Sequence, residues 1–220
     1  CHTVDYCSIA LLKRTLPIAA RTIRLETTPE DIAEAENIAG MVELNSLVLV
    51  HCGRHWAGKT LPISWWQNLI DGLQARGLTV CLIGLDEEET RGVLPVIVPA
   101  AGIDARNRTS LGGLFALIRG AGVLISNDSA PIHIAGASEI QVILIPTTKA
   151  PDHVLPYRHG RVDWKARALS KKGMWEDFVS APNEYLDATM ADMVPGGEER
   201  WREYLPDPSD ILRTLNVEGL

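Results

Sequence analysis

The chain has 220 residues, 46% of them hydrophobic and 22% charged, with a formal net charge of −7. That balance is ordinary for a globular protein, and its acidity excludes a general nucleic-acid binder, which needs a basic surface. It leaves room for a small cationic pocket around a phosphate. No apolar run approaches the roughly 20 residues needed to span a bilayer, so no transmembrane segment is expected. Cys1, Cys7, Cys52 and Cys81 show no CxxC spacing, so no metal site is expected. A reducing, cytoplasmic setting fits this cysteine usage. The chain begins at Cys1 with no Met and no signal-peptide layout, and reads as a cut inside a longer protein.

Residues 1–40 hold two helix-like pieces. The second starts at Pro29 behind Thr28, a good cap, with Glu30 and Asp31 in its first turn. From Leu47 the texture changes. Leu47-Val48-Leu49-Val50-His51 is a continuous apolar strand, as a sheet covered on both faces demands. A helix follows over 62–74, with Trp65, Trp66, Leu69, Ile70 and Leu73 at helical spacing. A strand is expected over 79–84, then a helix capped by Ser110 and ending near Gly120. Strands at 123–125 and 141–146 flank a short helix over 131–137. Strands alternating with helices imply right-handed βαβ units and a parallel sheet. Beyond residue 150 the pattern dissolves into a Pro-punctuated segment with Trp164, Trp175 and Trp201, aromatics expected to dock it on the core. A last helix is expected over 208–215.

The most informative stretch is Ser126-Asn127-Asp128-Ser129-Ala130-Pro131-Ile132-His133. It leaves a buried strand and enters a helix, with Asp128 or Ser129 at the cap and Pro131 in the first turn. Free N–H groups of that first turn, with the positive end of the helix dipole, are expected to form an anion site. His133 falls near the same mouth. The alternative is plain capping, with His133 an ordinary helix residue.

A second motif competes. Gly53-Arg54-His55-Trp56-Ala57-Gly58-Lys59-Thr60 matches the phosphate-loop formula G-x-x-x-x-G-K-[ST]. On that reading Lys59 reaches the terminal phosphates and Thr60 holds magnesium. Against it, Pro62 favours a helix that starts at Pro62 itself, and Val123-Leu124-Ile125 is followed by two polar residues before the acid Asp128.

Taken in order, the pieces resemble glycosyltransferase family 9, which includes the lipopolysaccharide heptosyltransferases and has the two-domain GT-B fold. The resemblance covers roughly residues 47–150. It rests on the strand ending at His51 with Lys59, Pro62 and Trp65-Trp66 after it, and on Gly84 before Asp86-Glu87-Glu88-Glu89. It rests also on Arg108-Thr109-Ser110-Leu111, on Asn127-Asp128-Ser129 with His133, and on the strand closing at Pro146-Thr147-Thr148. The fold class implied is α/β: a Rossmann-like parallel sheet with helices on both faces, one half of a GT-B fold, plus an irregular C-terminal extension. Residues 1–40 would be the tail of an absent N-terminal domain and a linker helix, 41–150 the nucleotide-sugar domain, and 151–220 the extension.

The resemblance implies a donor-binding half that takes a nucleoside-diphosphate sugar, ADP-linked and heptose-like, without a cofactor or metal. Lys59 would face the phosphates, helped by Arg54 and His55. Asp128, Ser129 and the N–H groups before His133 would hold the diphosphate and sugar. Thr109 would lie by the base, and Glu88 would accept from the ribose hydroxyls; as part of an acidic run, Glu88 has a solvated helix start as its alternative. Ala130 stands where the family usually has Gly, putting a methyl where backbone approaches phosphate. The acceptor, a saccharide or lipid-linked sugar, and the catalytic base belong to the N-terminal domain, so no catalytic residue is named. Peripheral attachment at the inner membrane face would come only through a lipid acceptor. Two other readings stay open: a magnesium-dependent nucleotide hydrolase at 53–60, and a non-catalytic Rossmann-like module.

Overall fold

A computed structural model describes residues 3–52, 59, 61–85, 101–158, 161–162, 166–173, 175 and 198–215. Helix α1 (Thr3–Leu12) and helix α2 (Pro29–Ala39) precede strand β1 (Leu47–His51). Then come α3 (Ile63–Gln74), β2 (Thr79–Leu82), β3 (Ile103–Asp104), α4 (Leu111–Gly120), β4 (Val123–Asn127), α5 (Ala130–Ile134) and β5 (Gln141–Ile145). The chain continues through α6 (Pro151–Val154), the hairpin pair β6 (Tyr157–Arg158) and β7 (Arg161–Val162), β8 (Ala166–Ala168), α7 (Glu198–Tyr204) and α8 (Pro208–Thr214).

Among the described residues, six strands form one sheet in the order β3-β2-β1-β4-β5-β8, every neighbouring pair parallel. Alternate residues of each strand feed opposite faces. Val48, Val50, Val80, Leu82, Val123 and Ile125 pack with Trp66, Leu69 and Ile70 of α3 and Ile211 of α8. Leu47, Leu49, Cys81, Leu124, Val142 and Leu144 pack with Ala35 and Ile38 of α2 and Leu117 of α4. Both faces are covered, which is why the strands are apolar without a break.

The expected elements are present, with three differences. First, α3 begins at Ile63 with Pro62 as its cap residue. A phosphate-loop helix would run on from the Gly58-Lys59 pair, whereas Leu61 and Pro62 lie outside any helix. Second, β3 has only two residues, too few to leave a periodic signal. Third, β8 lies beyond residue 150 yet pairs with β5, so the sheet continues past the change in sequence texture. Its three residues, Ala166, Arg167 and Ala168, hold too little apolar character to read as a strand.

The C-terminal aromatics do dock: Trp201 and Tyr204 are buried in the α3 face, and Trp65 Nε1 donates to the Pro206 carbonyl at 2.8 Å. Trp164 lies outside the described residues. At the other end Asp5 of α1, Arg21 and Tyr157 close a polar cluster, Arg21 Nη1 donating to Asp5 Oδ1 at 2.9 Å and to the Tyr157 hydroxyl at 2.8 Å. No helix of the described residues is long and apolar enough to cross a membrane.

Helix α2 also completes α4. Ser110 caps α4 by accepting from the Gly113 N–H, while its own N–H and hydroxyl donate to the Glu34 carboxylate at 2.6 and 2.8 Å. A Cβ on Gly113 would fall 2.4 Å from the Glu34 carboxylate, so Leu111-Gly112-Gly113 gives the two helices their close approach. Replacing Glu34 with Ala strips an acid from the helix start; denaturant unfolding is expected to show a loss of about 1 kcal/mol.

Candidate functional site

The chain runs from β1 outward to β2 and β3, then crosses back to start β4 on the other side of β1. The crevice at the carboxyl ends of β1 and β4 is therefore the topological switch point, where open parallel sheets take their ligands. His51, which ends β1, and its register partner Ser126 near the end of β4 mark it.

Four of the residues singled out in the sequence converge here. Lys59 Nζ lies 2.6 Å from Asp128 Oδ2 and donates to the Asp128 carbonyl at 3.2 Å. The Asp128 side chain is 4% exposed and that of Lys59 21%, so the carboxylate is buried while the ammonium keeps an edge in solvent. The Asn127 side-chain amide donates to the Lys59 carbonyl, which ties the turn carrying the lysine to the end of β4. Ser129 stands at the cap position of α5, and His133 of α5 feels both charges. Burial holds its imidazole below the ordinary value, Lys59 pushes the same way, and Asp128 partly offsets them. The imidazole's contribution to stability is full above the ordinary histidine value and is lost as pH falls through that value, because the unfolded chain then binds the extra proton.

Two expectations about this helix start need correction. Ser129 occupies the cap position, but its side chain makes no capping bond; the hydroxyl turns back to the sheet, 2.9 Å from His51 Nδ1. The anion site of four free N–H groups is also smaller than expected. Pro131 carries no N–H, the Ile132 N–H donates to the Ser129 carbonyl at 3.1 Å, and α5 spans five residues before a 3-10 turn, Ala135–Ala137. So short a helix has a weak dipole, and among the described residues Lys59 supplies the positive charge beside it.

Ala130, first in α5, is exposed at the mouth. Thr109 lies in the connection from β3 to α4 at the same edge of the sheet, two strands out from β1. Arg54, His55 and Glu88 lie outside the described residues, as does Thr60.

Sequence reasoning gave His51 no role beyond ending a strand. Its ring is held between the two serines and Gly84, whose φ is +112° and on which a Cβ would fall 2.6 Å from His51 Cδ2. Only glycine serves there, by conformation and by space. The signal was legible as a polar residue at the carboxyl end of an apolar strand facing a glycine after the next one. Thr147, after β5, is fully buried and its hydroxyl makes no hydrogen bond.

The order of the strands defines an α/β domain built on a parallel sheet, with a lysine paired to a buried carboxylate at its switch point. The chain belongs to glycosyltransferase family 9 (heptosyltransferase), whose pattern matches residues 3–172. Among solved structures it resembles a glycosyl transferase family 9 protein from Veillonella parvula, at 20% identity and a TM-score of 0.58, covering 76% of this chain and 54% of that one. It also resembles the ADP-heptose LPS heptosyltransferase II of E. coli, at 18% identity and a TM-score of 0.54, covering 77% of this chain and 54% of that one. The chain thus spans about half the length of these proteins, which share the GT-B fold. A comparison with curated proteins finds no match.

Proposed function

We propose that this chain is the donor-binding half of a glycosyltransferase that takes a sugar, heptose by family, from a nucleoside-diphosphate sugar, ADP-linked. The observation that carries the reading is the Lys59–Asp128 pair at the β1/β4 switch point. Family membership and the donor named for the E. coli neighbour support it.

The chemistry follows from charge. As the bond from sugar to diphosphate breaks, negative charge grows on the departing phosphate, and a fixed ammonium stabilises it more in the transition state than before. Lys59 supplies that charge. Asp128 is an anion and would repel a diphosphate, so its carboxylate orients Lys59 and accepts from sugar hydroxyls instead. Arg54 and His55 assist at the phosphates, the N–H of Ala130 faces them, Thr109 lies by the base, and Glu88 accepts from the ribose. The acceptor, a saccharide or lipid-linked sugar, is met by the N-terminal domain of the whole enzyme, and residues 1–40 form the passage from that domain.

Calorimetric titration of ADP with and without EDTA tests the reading. Binding that is the same in both is expected; binding seen only with magnesium would overturn it. The pH dependence is a second check. A diphosphate beside His133 favours the imidazolium that burial and Lys59 oppose, so binding takes up a proton. The affinity for ADP-glucose, whose diphosphate does not titrate in this range, is expected to rise from about pH 7.5 to about pH 6. Loss of that rise in His133→Gln is part of the expected result.

A further inference from the structure

The hydrogen bonds around His51 determine more than its position. Ser129 Oγ lies 2.9 Å from His51 Nδ1 and 2.9 Å from Ser126 Oγ, and Ser126 Oγ donates to the Asn127 carbonyl at 2.9 Å. The longer contacts, Ser126 Oγ to Nδ1 at 3.3 Å and Ser129 Oγ to the Asn127 carbonyl at 3.2 Å, close the same cluster. Three short contacts need three hydrogens. The two hydroxyls supply one each, and the chain ends on a carbonyl, which only accepts. If Nδ1 carried no proton, one short contact would join two lone pairs with nothing between them, in a cluster where Ser126 is fully buried and such a contact is unfavourable. A proton on Nδ1 completes a single direction: His51 Nδ1–H donates to Ser129, Ser129 to Ser126, and Ser126 to the Asn127 carbonyl.

We propose that His51 is a positioning residue of the donor site, protonated at Nδ1, which holds residues 126–129 through Ser129 and so presents Asp128 to Lys59. This rests on the donor-site reading above and assigns the serine a different part in it. The Ser129 hydrogen points into the protein, so its hydroxyl does not donate to a phosphate. The carboxylate next to it in sequence is the group thereby aimed, 2.6 Å from the ammonium. Gly84 belongs to the same device, because any side chain there would push the ring off the serines.

Nitrogen-15 histidine NMR of the wild-type chain reads the ring directly, with His51 recognised as the signal that is missing in His51→Asn. A ring bearing hydrogen on Nδ1, shifted in Ser129→Ala, is expected; a ring protonated on Nε2 alone overturns the proposal. ADP affinity reads the role. His51→Phe and Ser129→Ala are each expected to weaken binding about 10-fold, and the double variant no further, since one link is cut in either place. His51→Asn, whose amide hydrogen replaces that of Nδ1, is expected to stay within about 3-fold of wild type. Additive losses, or an Asn variant as weak as Phe, would refute the positioning role. If the wild-type chain takes up no ADP, the donor reading fails, while the ring's protonation and its response to Ser129→Ala still decide the hydrogen-bond chain.

Discussion

Lys59→Ala is expected to lower ADP affinity by about 100-fold, because it removes the ammonium held at the switch point and a charge-assisted bond contributes about 1.5–3 kcal/mol. It also leaves the Asp128 carboxylate, 4% exposed, without its cation. A buried charge stripped of its partner costs about 3–5 kcal/mol, so the variant is expected to unfold at lower denaturant. The two effects separate in a second variant. Lys59→Ala with Asp128→Asn removes the orphaned charge and is expected to recover most of the stability and none of the affinity. Calorimetry and urea unfolding of both variants check this. An affinity restored together with stability would mean that the lysine acts on the fold and not on the phosphate.

Arg158→Leu is expected to be the most damaging change outside the site. Arg158 is 2% exposed, and its guanidinium donates from Nη2 to the Ala135 carbonyl at 2.9 Å and to the Ile140 carbonyl at 2.7 Å, and from Nε to Ala135 at 3.2 Å. The Ala135 carbonyl opens the 3-10 turn that follows α5, and the Ile140 carbonyl immediately precedes β5. Leucine fills much of the space but takes the guanidinium away from the Ile140 carbonyl and leaves the Ala135 carbonyl to Ser138 alone, a loss of about 2–4 kcal/mol. Lysine is not expected to rescue it, since a point charge does not reproduce the planar fork that bonds two carbonyls at once. Urea midpoints of Arg158→Leu and Arg158→Lys that match the wild type would show that the turn holds by packing alone.

These expectations draw on different levels of the molecule. Lys59 was legible in the sequence, since a glycine–lysine pair after an apolar strand and an Asn-Asp-Ser turn after another are local patterns with a local cause. The partnership of Lys59 with Asp128 was not, for the two are joined only where β1 and β4 lie side by side. The same holds for Arg158, which reads as one more polar residue in a Pro-rich stretch. Its value comes from the Ala135 and Ile140 carbonyls, which only the folded chain brings to its guanidinium.

By itself the sequence determined the alternation of strands and helices, the two-sided burial of the strands, the place of Pro62 at the entry to α3 and the family. Each of these is written in hydrophobic period, capping residues and local motif order. Only the tertiary structure decided that β8 extends the sheet, that the Ser129 hydroxyl serves His51 in place of a cap, and that α5 is too short to carry the anion site without Lys59. Those outcomes depend on which strands become neighbours and on which polar atoms then lose water. A linear pattern does not record either.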